Sequence, residues 1–391
     1  MSRTADVVII GGGVTGVSLT FHLARRGVTR VIVLEKKFLA AGGTGHSVGI
    51  IRQLYPNTET CRMVQGSLRV FQNFRELVGG EAGYVRCGAL IGVSHAMRPS
   101  LERSLEIQRS LGISAELLEP GELARIEPRI DASGLGAVLY EPDSGYADPT
   151  GVTQGYAAAA RNLGVIIEQM TEVTAIRVEG EKVAGVVTAK GERIESRCVV
   201  NAAGLWAGPV AALAGVSLPI VVGRHPVFIV RRGAGFGGSH MVYLDLAGGT
   251  YLKPEHGDLT LTGSLTEDET RHPMEPDRLG SEVGLDEAAT ALEGVSRALP
   301  LLADCQYQRG YAGAFDITPD WMPILDESPV KGFYIAAGMS GHGFKLAPAV
   351  GELMAALITE GRTDANRDLF RLDRFTAGVS AGSFISSYLT R

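Results

Sequence analysis

The chain has 391 residues, 45% of them hydrophobic, with 37 basic against 43 acidic side chains and a net charge of −6. That length buries a large core and implies two or three domains, and mild acidity with no basic block argues against nucleic acid as a partner. No apolar run is long enough to span a bilayer, no signal peptide fits before the first buried strand, and the four cysteines (Cys61, Cys87, Cys198, Cys305) form no C-x-x-C pair; the reading is a cytoplasmic protein with no membrane span, no metal site and no disulfide framework.

The chain opens on a dinucleotide corner. Val7–Ile10 is a continuous apolar run, as in a strand buried on both faces of a parallel sheet, and Gly11, Gly13 and Gly16 complete G-x-G-x-x-G. A helix is expected from Val14 to Arg26 with Gly27 as its C-cap, then a second buried strand from Arg30 to Leu34. Glu35 follows, 19 residues after Gly16, where an acid can bind a ribose hydroxyl. The helix N-terminus, with unpaired N–H groups and a positive dipole end, favours phosphate. Residues 38–55 form a glycine-rich loop, too apolar at Val48, Ile50 and Ile51 for solvent, which could bring His46 and Arg52 to a cofactor; an ordinary loop histidine and an ion-paired arginine are the plain alternatives.

Further along, a helix is expected over Asn57–Leu77, a strand over Tyr84–Val93, helices over Arg98–Leu111 and Glu119–Ile126, and a brief strand at Val138–Tyr140 before the turn cluster 141–145, a candidate domain crossing. Asp148-Pro149 starts a helix to about Leu163, Asp as N-cap and Pro as first helical residue. A strand follows at Val165–Glu168, then a meander of Val173–Val178, Val183–Thr188 and Arg193–Val200 that exits into the small residues Ala202-Ala203-Gly204 before Trp206. Leu218–Gly263 is strand-rich and reads as an antiparallel sheet inserted between pieces of the first domain. A helix over Leu285–Leu299 and a strand over Gln306–Phe315 lead to a second strand–glycine–helix corner at 332–352, with Gly338, Gly341 and Gly343 before a helix of about 17 residues from Phe344. Lys345 sits in that helix's first turn, where a cation opposes the dipole; an anionic partner explains the placement, and a snorkelling surface lysine is the plain alternative. Residues 376–391 are Ser- and Gly-rich and read as a tail.

Taken together, Gly42–Tyr55, Val199–Trp206 and especially Gly338–Glu352 (GMSGHGFKLAPAVGE) resemble the D-amino-acid oxidase-like flavoproteins, in the sarcosine oxidase and dimethylglycine dehydrogenase branch. The resemblance covers residues 5 to about 375. It implies an α/β fold with an FAD-binding, Rossmann-like domain of the glutathione-reductase type (1–80, 146–215, 325–375) and an inserted antiparallel-sheet substrate domain (81–145, 216–324). It implies FAD as cofactor and oxidation of the C–N bond of an N-substituted or cyclic amino acid (sarcosine, dimethylglycine or proline-like) to an imine, by hydride transfer to flavin N5 with O2 or a redox partner as acceptor. Oxidation of a 2-hydroxy acid or polyol phosphate, or a role as the flavin-bearing subunit of a larger dehydrogenase, stays open, and with it a subunit partner.

The resemblance also assigns residues. Arg52, in Ile-Ile-Arg-x-x-Tyr, matches the arginine that binds the substrate carboxylate, and Lys345, in Gly-Phe-Lys, its cationic partner; Tyr251 and His225 complete the expected catalytic group. The expected cofactor contacts are Gly11, Gly13, Val14, Thr15, Gly16, Glu35 and Lys36; Gly43, Thr44, Gly45 and His46; Val173; Ala203, Gly204 and Trp206; and Gly338, Gly341, His342, Gly343, Phe344 and Lys345. Gly313 falls where monomeric sarcosine oxidases carry a flavin-linked cysteine, which excludes that bond, while Ala-Gly-Gly-Thr-Gly-His46 matches a segment with a flavin-linked histidine and leaves that bond open. The lysine that helps oxygen react in sarcosine oxidase becomes Leu261 and a nearby histidine Leu265. That leaves Lys253 or His225 as substitutes and implies an apolar pocket for a larger amino acid.

Overall fold

A computed structural model describes residues 3–265, 273–278, 280, 282–361 and 367–377; most of the expected tail lies outside the described residues. A six-stranded sheet runs in the order Ile324–Glu327, Phe333–Ala337, Val199–Asn201, Val7–Ile10, Val31–Leu34, Ile166–Glu168, parallel except for its first strand. The continuous apolar runs have a simple cause. Val7, Ile9, Val31 and Val33 face one core beneath the helices Val14–Arg25, Thr58–Gln72, Pro149–Asn162 and Gly343–Glu360, while Val8, Ile10, Ile32 and Leu34 face a second core on the other side. That second core is closed by a four-stranded sheet of Arg3–Thr4, Arg193–Glu195, Lys182–Thr188 and Val173–Glu179.

The third layer is an eight-stranded sheet ordered Gln306–Ile317, Val221–Arg231, Leu259–Ser264, Thr250–Pro254, Val242–Asp245, Ala89–Val93, Ala137–Glu141, Glu116–Leu118. Its pairings are antiparallel except between Val242–Asp245 and Ala89–Val93, which run parallel, so the expectation of an antiparallel sheet holds for all but one pair.

The helix expected over Glu119–Ile126 is only Pro120–Leu123, and three further expected elements differ for visible reasons. Arg193–Val200 is two strands in two sheets: Ser196 Oγ donates to the Cys198 carbonyl (2.8 Å) and accepts from the Cys198 amide (3.2 Å), which turns the chain from the four-stranded sheet into the parallel one. The strand expected at Tyr84–Val93 is regular only from Ala89, because Gly88 has φ +77°. The helix begun at the Asn57 cap, whose side chain accepts from the Thr60 amide, stops at Gln72; a short turn, Phe74–Leu77, follows Asn73, whose side chain takes the Arg69 carbonyl. No helix among the described residues is long and apolar enough to cross a membrane, and none of their His, Cys, Asp and Glu side chains form a group of three or more that could hold a metal ion.

Candidate functional site

A cavity of about 540 Å³ lies between the C-terminal ends of the parallel strands and the face of the eight-stranded sheet. At one end the chain leaves Ile10 through Gly11. Its φ is +116°, and any Cβ there would stand 2.3 Å from the Ala202 carbonyl oxygen, so the position admits only glycine. Gly13, Val14 and Thr15 line the cavity at the helix N-terminus, and Val14 N donates to Thr44 Oγ1 (3.2 Å). Glu35 and Lys36 line it too. The Glu35 carboxylate accepts from the amides of Gly12 (2.7 Å) and Lys37 (2.7 Å), so before any ribose it fixes the glycine turn itself. Lys36 Nζ meets Asp277 Oδ1 at 2.9 Å and lies 4.5 Å over the Trp206 ring, whose Nε1 donates to the same oxygen at 2.9 Å.

Of the other expected cofactor contacts, Gly43, Thr44, His46, Val173, Ala203, Gly204, Trp206, Gly341, His342, Gly343, Phe344 and Lys345 line the cavity. Gly16, Gly45 and Gly338 do not. Each is a glycine because backbone or a neighbour crowds it: a Cβ on Gly16 would stand 2.1 Å from Gly11 O, one on Gly45 2.4 Å from Ala40 O, and one on Gly338 2.5 Å from Thr318 Cγ2. Their work is to shape the cradle rather than to touch its contents. His46 Nδ1 lies 3.0 Å from the Gly42 carbonyl, which can only accept, so Nδ1 is the donor of that bond. Gly313 stands opposite, where a Cβ would come 3.2 Å from His46 Cβ.

The four expected catalytic residues all line the cavity. Arg52 is buried beside the short strand Ile50–Ile51, donates to the Leu54 carbonyl and stacks 4.8 Å over the Tyr55 ring. The loop carrying it is pinned by Glu141, a fully buried carboxylate that accepts from Gln53 N (2.8 Å), Ser144 Oγ (2.6 Å) and Gln108 Nε2 (2.6 Å). Lys345 is buried as well, its ammonium 3.4 Å from the Gly341 carbonyl; burial first, and Arg52 second, push its pKa well below the usual lysine range. The pKa of His342, held at 3.2 Å from Tyr55 Oη, is also pushed well below its usual value, by burial first and then by Lys345 and Arg52. Arg52 and Lys345 thus bring two basic groups to the same cavity lining, a chemistry suited to a carboxylate.

His225 and Tyr251, also in the lining, are bonded to each other: Nε2 to Oη is 3.1 Å, and Phe315 stacks on the imidazole at 4.4 Å. Tyr251 lies flat because Gly263, its cross-strand neighbour, has no side chain. Leu265 lines the cavity but Leu261 does not, and Lys253, directly across from Leu261, is turned to Glu255 (2.8 Å) and the Tyr146 ring (4.5 Å). Of the two residues considered as substitutes, His225 lines this cavity and Lys253 does not.

Sequence reasoning passed over Asp316, Trp321 and Asp277, all of which line the cavity. Asp316 Oδ2 accepts from Gly338 N (2.8 Å) and Met339 N (3.1 Å), clamping the left-handed turn (Gly338 φ +70°, Ser340 φ +49°, Gly341 φ +77°) that leads to Lys345. Burial raises its pKa to about 6, against the pull of those amides. No motif marks these side chains, because each acts through a fold contact rather than a local pattern.

The cradle has the parts a flavin dinucleotide needs: a glycine-bared helix N-terminus for a pyrophosphate, an acid beyond it, and a second glycine turn and helix N-terminus across the cavity. A family model described as FAD dependent oxidoreductase matches residues 6–357. The mitochondrial sarcosine dehydrogenase of Homo sapiens is 29% identical over 386 residues, covering 96% of this chain and 42% of its own. Sarcosine oxidase subunit beta of Arthrobacter sp is 29% identical over 387 residues, covering 96% of this chain and 92% of its own. The chain thus spans less than half the length of the mitochondrial relatives it matches. Among solved structures, L-proline dehydrogenase from P. horikoshii superposes with a TM-score of 0.88 at 29% identity, over 97% of this chain and 100% of that one. Glycine oxidase from Geobacillus kaustophilus, at 24% identity and TM-score 0.82 over 95% and 99%, shares the fold.

Proposed function

The chain belongs to the FAD-dependent oxidoreductase family, and from that premise we propose that it oxidises the C–N bond of an N-substituted or cyclic amino acid to an imine. The observation that carries this reading is the burial of Arg52 and Lys345 together at one end of the cofactor cavity. The names of the similar proteins, which act on sarcosine, dimethylglycine, 4-methylaminobutanoate and L-proline, support the same substrate class.

Gly11, Gly13, Val14 and Thr15 would hold the pyrophosphate of FAD, Glu35 and Lys36 its nucleoside end, and the turn at Gly341–Lys345 its ring end. FAD, when bound, supplies the electron-accepting chemistry. The chain's own residues do the rest. Arg52 and Lys345 bind the substrate carboxylate, and two charge-assisted contacts on one group fix the orientation of the α-carbon. Arg52 is held by Leu54, Tyr55 and the Glu141-pinned loop, so little ordering is needed at binding. Tyr251 Oη and His225 Nε2, bonded to each other, offer the amine a polar contact. The surrounding aromatic and aliphatic groups exclude water and favour the neutral amine, the form that can release electrons.

In this reading residues 1–80, 146–215 and 325–375 serve the cofactor, and 81–145 and 216–324 the substrate. The acceptor is O2 or a redox partner, and likeness to a subunit beta over nearly its whole length supports a partner chain. The test is the visible spectrum of the purified protein, recorded anaerobically while sarcosine, dimethylglycine and proline are added in turn. Bleaching of an oxidised flavin band by one of them is expected. A yellow protein that no amine bleaches, or a colourless one that refuses FAD, would overturn the proposal.

A further inference from the structure

Trp321 is the one tryptophan of the substrate wall, and its backbone is out of the ordinary. Its φ is +59°, a left-handed conformation that a bulky side chain adopts only under constraint. It is 5% exposed, lines the cavity, and belongs to the apolar cluster of Leu54, Leu244 and Tyr251, with Leu265 and Phe315 against it. A residue that merely filled this core would need no such backbone.

The constraint is visible on both sides of the residue. Asp320 Oδ1 accepts from Thr318 Oγ1 (3.2 Å) and Met322 N (3.1 Å), while Trp321 N donates to Thr318 O (3.1 Å). The same carboxylate is gripped in a fork by Arg374, Nε to Oδ2 at 2.8 Å and Nη2 to Oδ1 at 3.0 Å, and Nη2 also reaches the Met322 carbonyl at 2.8 Å. The Arg374 side chain is fully buried, and its remaining Nη1 takes the Arg371 carbonyl at 2.9 Å. A single buried ion pair thus fixes the residues before and after Trp321. Strained backbone persists where its surroundings over-determine it, and such places gather at functional sites.

We propose that Trp321, held in its left-handed backbone by the Asp320–Arg374 pair, is the specificity-determining wall that selects a substrate with an apolar ring or alkyl group larger than methyl beside its carboxylate. This rests on the reading that Arg52 and Lys345 hold that carboxylate. With the charge anchored at those two residues, the rest of the substrate meets Trp321, Leu244, Leu265 and Phe315, with the bonded Tyr251–His225 pair in the same lining. A flat indole face against a ring returns buried apolar area that a lone methyl group leaves unused. The class is therefore cyclic amino acids and those carrying an alkyl group larger than methyl, ahead of sarcosine. Arg374 acts as a positioning residue through Asp320.

The experiment compares affinities of the FAD-loaded protein for 2-furoate, a ring carboxylate with no oxidisable amine, and for acetate, by calorimetry. Trp321→Gly suits the test because glycine accepts the left-handed φ without strain, so its thermal midpoint should not fall through the backbone. It should lower the furoate-to-acetate affinity ratio by about tenfold or more. Arg374→Lys, which loses the planar fork, should shift the ratio in the same direction, and Trp321→Phe should keep most of it. Turnover of proline against sarcosine should follow the same order. An unchanged ratio in Trp321→Gly, with Arg52→Ala still weakening both carboxylates, would overturn the wall and leave the carboxylate site standing. If Arg52→Ala binds both as tightly as the native protein, the carboxylate reading itself falls, and this inference with it. Should Trp321→Gly fail to accumulate, Trp321→Leu carries the same comparison.

Discussion

At the scale of single residues, Lys345 carries the most chemistry for its size. A buried lysine next to an arginine loses its proton more easily than one in water, and a bound carboxylate restores the reason to keep it. Its folded pKa is lowered, so the charged form is lost as pH rises through that lowered value. Substrate affinity should therefore fall as pH rises through a range well below that of ordinary lysines, and KM should climb. Lys345→Met should abolish that climb and raise KM about 10- to 100-fold, the worth of a charge-assisted contact; a KM profile of identical shape in the variant would dismiss the role. Asp316 behaves in the opposite sense. Its folded pKa, about 6, lies above its ordinary value, so the folded state holds the proton more tightly than the unfolded chain. The stability it contributes is full below the unfolded value and is lost as pH rises through 6. Asp316→Asn keeps an oxygen for the Gly338 and Met339 amides without the buried charge. Its thermal midpoint should match or exceed that of the native protein at pH 7.5, and that advantage should shrink at pH 5, as thermal melts at the two values would show.

At the scale of elements, the first corner was legible because several signals coincide there: apolar run, glycine spacing, helix, second run and acid. The structure refines what the third glycine does. Gly16 does not reach the cavity; it stands where any side chain would strike the Gly11 carbonyl, so it sets how closely the helix Val14–Arg25 approaches the turn. Gly16→Ala should cost about 1–3 kcal/mol in stability, the usual range for overpacking, and it should weaken FAD binding by displacing the helix N-terminus. A variant with native melting and native FAD affinity would show that the helix has room to give. Arg52 and Lys345 line the cavity as expected, the first pointed to by its apolar loop and the family resemblance, the second by a cation that opposes a helix dipole. What was not legible depends on tertiary partners. The break at Ser196–Cys198 looks in sequence like one more strand of a meander, because Ile194, Val199 and Val200 are equally apolar whichever sheet they join. Trp321 and Asp316 follow no periodicity. Only Arg374, more than fifty positions along the chain from Asp320, and the turn at Gly338 give them their roles.

At the scale of the whole molecule, the cavity exists only where layers meet, and one small tie spans three chain segments at its rim. Lys36 follows the parallel strand Val31–Leu34, Trp206 follows Val199–Asn201, and Asp277 lies in the segment after Leu259–Ser264 that pairs back to Gly223 through Pro273. The Asp277 carboxylate accepts from both Lys36 and Trp206, and Lys36 foremost holds its pKa below the usual range. An exposed pair of this kind contributes little to folding, so Asp277→Ala should leave the melting temperature of the FAD-free protein nearly unchanged. Its effect should appear in cofactor retention, since all three side chains line the cavity and their tie joins the Pro276–Arg278 turn to two strand ends of the parallel sheet. The rate of FAD loss, followed by the rise of free flavin fluorescence after dilution, should be higher in Asp277→Ala than in the native protein at low salt. Salt at about 1 M screens exposed charges to within a few ångströms, so it should speed loss from the native protein toward the variant's rate and leave the variant almost unaffected. Equal rates at low salt would show that the tie is idle. A native rate that ignores salt would show that the indole contact, rather than the ion pair, holds the rim.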